Sequence, residues 1–186
     1  MTSVFWFRRD LRLDDNPGLS AAAKAGTVVP LFVIDPRLFR SAAPRRRQLL
    51  VAGLADLGSQ IEAIGGQLRV EHGDPLEAVT RVVRETSADA VHVSEEITPY
   101  GRERDRQVAG EVPLVRHPGI YVHPPGSIVT TSDRPYRVFT PFHRVWATRP
   151  SQPVELPSST LFTGSRGDGL PDRTHGGIDA GPTGAE

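Results

Sequence analysis

The sequence predicts an α/β domain built as a doubly wound, Rossmann-like parallel sheet of about five strands with helices on both faces. Three observations predict it. Short, continuously apolar runs recur between Val4 and Arg116, as strands buried on both faces of a parallel sheet require. Segments with apolar residues at three- and four-residue spacing separate those runs, and this alternation is the signature of βαβ units. Prolines, glycines and short polar residues stand at most of the junctions.

Val4 to Phe7 is the first strand, closed by the charged stretch Arg8-Arg9-Asp10-Leu11-Arg12-Leu13-Asp14-Asp15. Asn16 then offers a capping oxygen and Pro17 a preset φ, so a helix runs from there to about Gly26. Val28 to Ile34 is a fully apolar second strand that Asp35-Pro36 ends; Pro30 is its one blemish, since it donates no ladder hydrogen bond. From about Arg45 to Ile64, Leu49, Leu50, Leu54, Leu57, Ile61 and Ile64 mark the longest helix, stopped by Gly65-Gly66. Gln67 to Glu71 is the third strand. Gly73-Asp74 turns the chain, and Pro75 opens a helix carrying Leu76, Val79, Val82 and Val83. Ala90 to Val93 is the fourth strand, Gly101 to about Ala109 a strongly charged helix, and Leu114 to Arg116 a short last strand.

Pro118 to Asp133 shows no period and reads as irregular chain, whereas Tyr136 to Trp146 is rich in aromatic residues and its second half suits a helix start. Beyond Arg149, proline, glycine, serine and threonine dominate, so burial does not offset the entropy of ordering and a flexible tail is expected. The domain reading is therefore 1–130 for the α/β unit, 131–149 for a crossover and 150–186 for the tail.

Composition narrows the function classes. The 186 residues hold 38% hydrophobic and 24% charged residues, near globular averages, with a formal net charge of zero. Such a balance announces neither bulk nucleic acid nor an acidic membrane as partner. The absence of cysteine excludes disulfides, thiolate metal sites and a cysteine nucleophile, and a cytoplasmic setting is the simple expectation. The apolar run at the start is far below the ~20 residues of a membrane span. The histidines at 72, 92, 117, 123, 143 and 175 lack the paired spacing of a metal site, so no metal is assigned.

In open parallel sheets ligands bind beyond the carboxyl ends of the strands. The loop there after strand one gives Trp6-Phe7-Arg8-Arg9-Asp10-Leu11-Arg12-Leu13-Asp14-Asp15-Asn16, which resembles the opening of the DNA photolyase/cryptochrome family. Leu31 to Pro36, Ile97 to Asp105 and Tyr136 to Phe142 resemble that family's second strand, its loop and helix after strand four, and its crossover, in the family's order. The resemblance covers Val4 to about Trp146. It implies a five-stranded domain of strand order 3-2-1-4-5 that holds an antenna chromophore, either 8-hydroxy-5-deazaflavin, the favoured choice, or the reduced folate methenyltetrahydrofolate. It also implies a second, all-helical domain holding FAD and the damaged DNA, where excited reduced flavin splits a flipped-out cyclobutane pyrimidine dimer in a carbon–carbon lyase reaction. That helical domain has no counterpart in these residues, so the chain is expected to be truncated, not catalytic alone, without FAD and with weak DNA binding at most. A ligand-free relic, or a module that needs a separately supplied helical domain, are the other expectations, and photolyase is not separated from cryptochrome ancestry.

Carried over by motif, the resemblance marks Arg9, Val33, Asp35, Arg46, Glu96 and Thr98 as chromophore-binding and no residue as catalytic. An arginine fork suits anionic or carbonyl oxygens, and a carboxylate suits ring N–H groups. Thr98 departs from the family, which often has an acidic residue there. Each residue has a plainer reading beside this one. Arg9 and Asp10 brace adjacent loops, Arg45-Arg46-Arg47 is a solvated helix start, Gly101 to Arg106 is a solvent-facing helix, Tyr100 is packing, and Trp6 and Trp146 are core or interface residues.

Overall fold

Proline opens five of the six helices in the computed structural model, which describes residues 1–119, 121–150 and 160–171. Strand β1 (Thr2–Phe7) leads through a loop to α1 (Pro17–Ala25), capped where Asn16 Oδ1 accepts from Leu19 N at 3.1 Å. Strand β2 (Thr27–Ile34) is followed by α2 (Pro36–Ser41) and α3 (Pro44–Ala63), then β3 (Arg69–His72) and α4 (Pro75–Thr86). Strand β4 (Ala90–Ser94), α5 (Pro99–Glu111), β5 (Leu114–His117) and α6 (Phe139–Thr148) complete the order. All pairings are parallel and the strand order is β3-β2-β1-β4-β5, the doubly wound arrangement expected.

The two sheet faces carry separate cores. Phe5, Phe7, Leu19, Phe32, Leu54, Leu57 and Ile61 pack under α1 and α3, while Val4, Trp6, Leu31, Val79, Val82, Val91 and Val108 pack under α4 and α5. Period-two alternation along β1 sends Val4 and Trp6 to one face and Phe5 and Phe7 to the other.

Four local expectations change. The short helix α2 is absent from the sequence reading, although Asp35 caps it with Oδ1 accepting from Arg37 N at 2.9 Å and Pro36 starts it; the pair ends a strand by opening a helix. In α3 the buried stripe is Val51, Leu54, Leu57 and Ile61, and Leu49 and Ile64 face water, because a 3.6-residue turn brings position 51 onto the line of 54 and 61. Helix α5 is not solvent-facing along its length: Gly101, Arg104, Asp105 and Val108 form a buried stripe at three- and four-residue spacing. Beneath the surface Asp105 pairs with Arg8 and Arg104 with Glu96, partners outside the helix that alternating signs alone do not disclose.

The fourth change concerns the expected flexible tail. Residues 160–171 lie against the sheet. Val28 N donates to Leu161 O and Thr163 N to Val28 O, both at 2.8 Å, and Val70 N donates to Arg166 O at 3.1 Å. Strand β3 pairs with β2 only from Leu31 onward, so the open start of β2 accepts this strap, which then crosses to the outer edge of β3. Val28 turns its backbone groups toward the strap, and alternation turns those of Pro30 the same way, into the gap before β3 begins. Pro30 thus sits where no ladder bond is lost. Residues 151–159 and 172–186 of the expected tail lie outside the described residues.

Candidate functional site

The strand order reverses between β1 and β4, and there the loops beyond the carboxyl ends frame a crevice. The ends of β1 and β2, the loop after β4 and the start of α3 enclose a cavity of about 420 Å³. Most of its wall is aromatic or aliphatic, including Trp6, Phe32, Phe39 and Leu50, as for a site that receives a planar organic body. Arg9, Val33, Asp35, Arg46, Glu96 and Thr98 all line it. Val33, Asp35 and Glu96 are buried, Thr98 is half-buried, and Arg9 and Arg46 are exposed.

The side chains that shape this cavity go beyond the six. Arg8 and Arg104 form part of its wall and lie in a buried quartet with Glu96 and Asp105. Arg8 donates to Asp105 Oδ1 and to the Ser94 carbonyl, while Arg104 Nη2 reaches Glu96 Oε1 at 3.3 Å and Asp105 Oδ1 at 3.4 Å. Two guanidiniums and two carboxylates neutralise each other, which is what makes such burial tolerable. Burial, followed by the like charge of Arg104, lowers the Arg8 pKa from its ordinary value, and Asp105 and Glu96 oppose that shift. Arg104 also stands 4.8 Å from the Trp6 ring centroid and 5.7 Å from that of Tyr100.

A second cluster ties the β2–α2 corner to the β4–α5 corner. Tyr100 donates its hydroxyl to Asp35 Oδ2, and Arg37 donates to Asp35 Oδ1 at 3.3 Å and to Asp74 Oδ2 at 3.0 Å. The Tyr100 phenol is pushed up to about 12, first by burial and then by the bond to Asp35. Thr98 caps α5, with its Oγ1 accepting from Gly101 N at 3.1 Å and donating to Glu96 Oε2 at 3.3 Å. A Cβ on Gly101 would stand 2.5 Å from Glu96 Oε2, so only glycine lets the helix's first turn lie over that carboxylate.

Asp10 takes the bracing role: its Oδ1 accepts from Arg8 N at 3.1 Å and its Oδ2 from Ser94 Oγ, joining the first loop to β4. Sequence reading passed over Arg8 and Arg104 as site residues and read Tyr100 as packing. The spacing of Gly101, Arg104, Asp105 and Val108 was the available signal, a buried stripe hidden among charges. Among the described residues no group of three or more histidine, aspartate or glutamate side chains is placed to hold a metal ion, and no described helix is long and apolar enough to cross a membrane.

Comparison with known proteins places these features. The DNA photolyase family model matches residues 3–158. The chain is 36% identical over 167 residues to a deoxyribodipyrimidine photo-lyase of Synechococcus, covering 85% of this chain and 34% of that protein. A deoxyribodipyrimidine photo-lyase of Thermus thermophilus is 38% identical over 156 residues, covering 82% of this chain and 36% of the relative. The crystal structure of a class III photolyase from Agrobacterium tumefaciens superposes with a TM-score of 0.77 at 30% identity, over 92% of this chain and 37% of that one. An archaeal photolyase from Sulfolobus tokodaii, described with two FAD molecules and a novel light-harvesting cofactor, gives a TM-score of 0.76 at 25% identity, over 88% and 39% of the two chains. The chain thus spans about a third of the length of these photo-lyase relatives and covers their N-terminal α/β domain. With its sheet order, its first-loop and strand-four motifs and the family match over most of its length, the chain belongs to the DNA photolyase family.

Proposed function

We propose that this domain binds an antenna chromophore in the cavity at the carboxyl ends of β1, β2 and β4, and that 8-hydroxy-5-deazaflavin suits it better than methenyltetrahydrofolate. The observation that carries this reading is the convergence of Arg9, Val33, Asp35, Arg46, Glu96 and Thr98 on one apolar-walled cavity. A flat tricyclic ring fits between aromatic walls, with Arg9 and Arg46 at its exposed rim and Glu96 and Asp35 along buried edges. With Thr98 engaged as the cap of α5, Glu96 is the one carboxylate at that corner of the cavity. The family's antenna groups pass excitation energy to FAD; here the chain's own residues bind, orient and shield the ring from water. FAD in the antenna position is the competing ligand, in view of the two FAD molecules of the Sulfolobus protein.

Absorption and fluorescence titration of the purified chain with 8-hydroxy-5-deazaflavin, methenyltetrahydrofolate and FAD tests this. One-to-one binding of the deazaflavin is expected, weakened roughly tenfold or more in Arg46→Ala and Glu96→Ala, the scale of one charge-assisted hydrogen bond. A folded chain that binds none of the three sinks the proposal.

A second reading concerns the other end of the chain. No side chain of α6 is buried, and Val138 and Phe139 are 63% and 73% exposed. Contiguous exposed apolar surface of this kind marks an interface. We propose that this face meets a helical FAD-binding domain, with which light-driven repair of pyrimidine dimers takes place, and that this chain alone holds DNA only weakly. Phe139→Asp is expected to weaken complex formation with such a domain in calorimetry. Equal affinity counts against this face.

A further inference from the structure

The zero net charge of the chain conceals a segregated region. From Val112 to Pro150 five arginines stand against a single acidic residue, Asp133. Four of them, Arg134, Arg137, Arg144 and Arg149, lie on α6 or beside its ends, are exposed, and form no ion pair among the described residues. Like charges with no acid between them raise the local positive potential, which a bound polyanion lowers.

Aromatic rings are interleaved with these charges. On α6, Phe139, His143 and Trp146 recur at spacings of four and three, so they share one stripe of the helix. Their ring centroids stand 5.5 and 6.0 Å apart in turn. Phe139 and His143 are exposed and Trp146 is half-buried, so the stripe presents its rings to solvent and not to the core. Beside it, α6 and the loop of residues 121–128 frame a groove of about 390 Å³, walled by Tyr121, Val122, His123, Ile128, Phe142 and Trp146. The His123 ring packs edge-on against Trp146 at 5.8 Å, with its Nε2 3.3 Å from the Trp146 carbonyl, which ties the loop to the helix. No carboxylate or side-chain amide lines the groove, so it offers stacking and apolar contact and little that reads a base edge.

We infer that α6 and this groove bind undamaged single-stranded nucleic acid. One base enters the groove against Trp146, a neighbouring base stacks on Phe139 and His143, and Arg137, Arg144 and Arg149 take the phosphates. Aromatic platforms beside a basic track make a sequence-tolerant single-strand site, because every base has a π-face and every nucleotide a phosphate. The arginines select a polyanion, and the exposed rings select one whose bases are unpaired, since a duplex buries its base faces in its own stack. The groove shares no lining residue with the cavity at the carboxyl ends of the strands. Such binding goes beyond the docking reading of α6 and needs no helical domain; both use Phe139, so a docked domain and a bound strand exclude each other.

Fluorescence anisotropy of end-labelled oligothymidylate and oligouridylate with the whole chain, beside a DNA duplex of equal length, tests this. Single strands are expected to bind with a Kd of about 10 μM at low salt, and the duplex about fivefold or more weakly. The tighter of the two single strands tells DNA from RNA as the ligand. Raising salt from about 50 to about 200 mM is expected to weaken single-strand binding about twentyfold, the loss for roughly three phosphate contacts. Phe139→Ala, at a position too exposed to disturb the core, is expected to weaken it about tenfold with the salt dependence unchanged, whereas Arg144→Gln flattens the salt dependence. Strand binding is expected to quench Trp146 fluorescence, and Trp146→Phe to lose that signal. Arg45→Gln, in the arginine-rich start of α3, is expected to change nothing. A duplex bound as tightly as the single strands, no effect of Phe139→Ala, or affinity lost in Arg45→Gln overturns the inference. No binding of either strand also overturns it and leaves the docking reading standing, because docking is measured with the helical domain and without oligonucleotide.

Discussion

The two edges of the sheet are built on different principles. At one edge, β3 is buried and residues 166–169 of the strap hydrogen-bond along it, with Arg69, Glu71, Arg81 and Glu85 forming an ion network beneath. At the other edge, β5 exposes Val115 and Arg116. There the side-chain hold is the His92–His117 pair, with rings stacked at 5.0 Å and Nδ1 and Nε2 3.0 Å apart, together with Arg116 donating to the Asp105 carbonyl at 2.9 Å. An unpaired strand edge is a template for association, and the protein covers one edge with its own chain while leaving the other short and partly charged. The β3 edge supports the β2 wall of the cavity; the β5 edge lies beyond β4 and carries less of it.

The largest effect expected is at the covered edge. Glu71 accepts from Arg69 and Arg81 at 2.6 Å each, so Glu71→Gln leaves a buried guanidinium undercompensated and is expected to cost on the order of 3 kcal/mol in denaturant unfolding. Arg116→Ala at the opposite edge is expected to cost at most about 1 kcal/mol, because its partner contact is partly exposed. Equal costs would break the comparison.

Next in size is the strap itself. Phe162 is a partly buried side chain packed on the core under α3, and Phe162→Ala is expected to lose about 2 kcal/mol, less than a fully buried phenylalanine. Hydrogen exchange should then quicken at Val28 and Val70, whose amides donate to the strap, and stay unchanged in β5. Gly167→Ala sharpens the point: φ is +63° and a Cβ would stand 2.6 Å from the Val70 carbonyl, so the strap should detach there without any core side chain being removed. Protection at Val70 that survives this substitution would show that the strap is not held through its backbone.

The smallest effect expected is the pH response of the exposed edge. Burial lowers both His92 and His117 from the ordinary value of 6.5, and His117 adds repulsion at His92. Because the folded values lie below the unfolded one, the unfolded chain binds more protons in that window. Stability contributed by the pair is present above pH 6.5 and is lost as pH falls through the folded values. Thermal unfolding followed across this range should show the slope in the wild type and a reduced slope in His117→Gln. A wild-type slope of the opposite sign would exclude the neutral pair as the hold on β5.

Much of the fold is legible locally. Asn16-Pro17, Asp74-Pro75 and the apolar runs of β1, β2 and β4 each declare themselves within a few residues, because capping, proline geometry and two-sided burial act at short range. The same short-range logic recovers α2 once Asp35-Pro36 is taken as a cap and first helical residue. The strap is not legible this way. Leu161 to Gly169 has no period of its own and gains its order from the backbone groups that a short β3 leaves open on β2. In the cavity, motif resemblance points to six lining residues, but Arg104 and Asp105 hide in a helix whose alternating charges look solvated.

By itself the amino-acid sequence determined the alternation of strands and helices, the caps, and the positions where chemistry gathers at strand ends, since each follows from patterns within one segment. Tertiary structure decided which charges are buried, which carboxylate oxygens are already spent, and where residues 160–171 lie. Those outcomes depend on pairing between groups up to about a hundred residues apart, as between Arg8 and Asp105, and no local pattern carries that information.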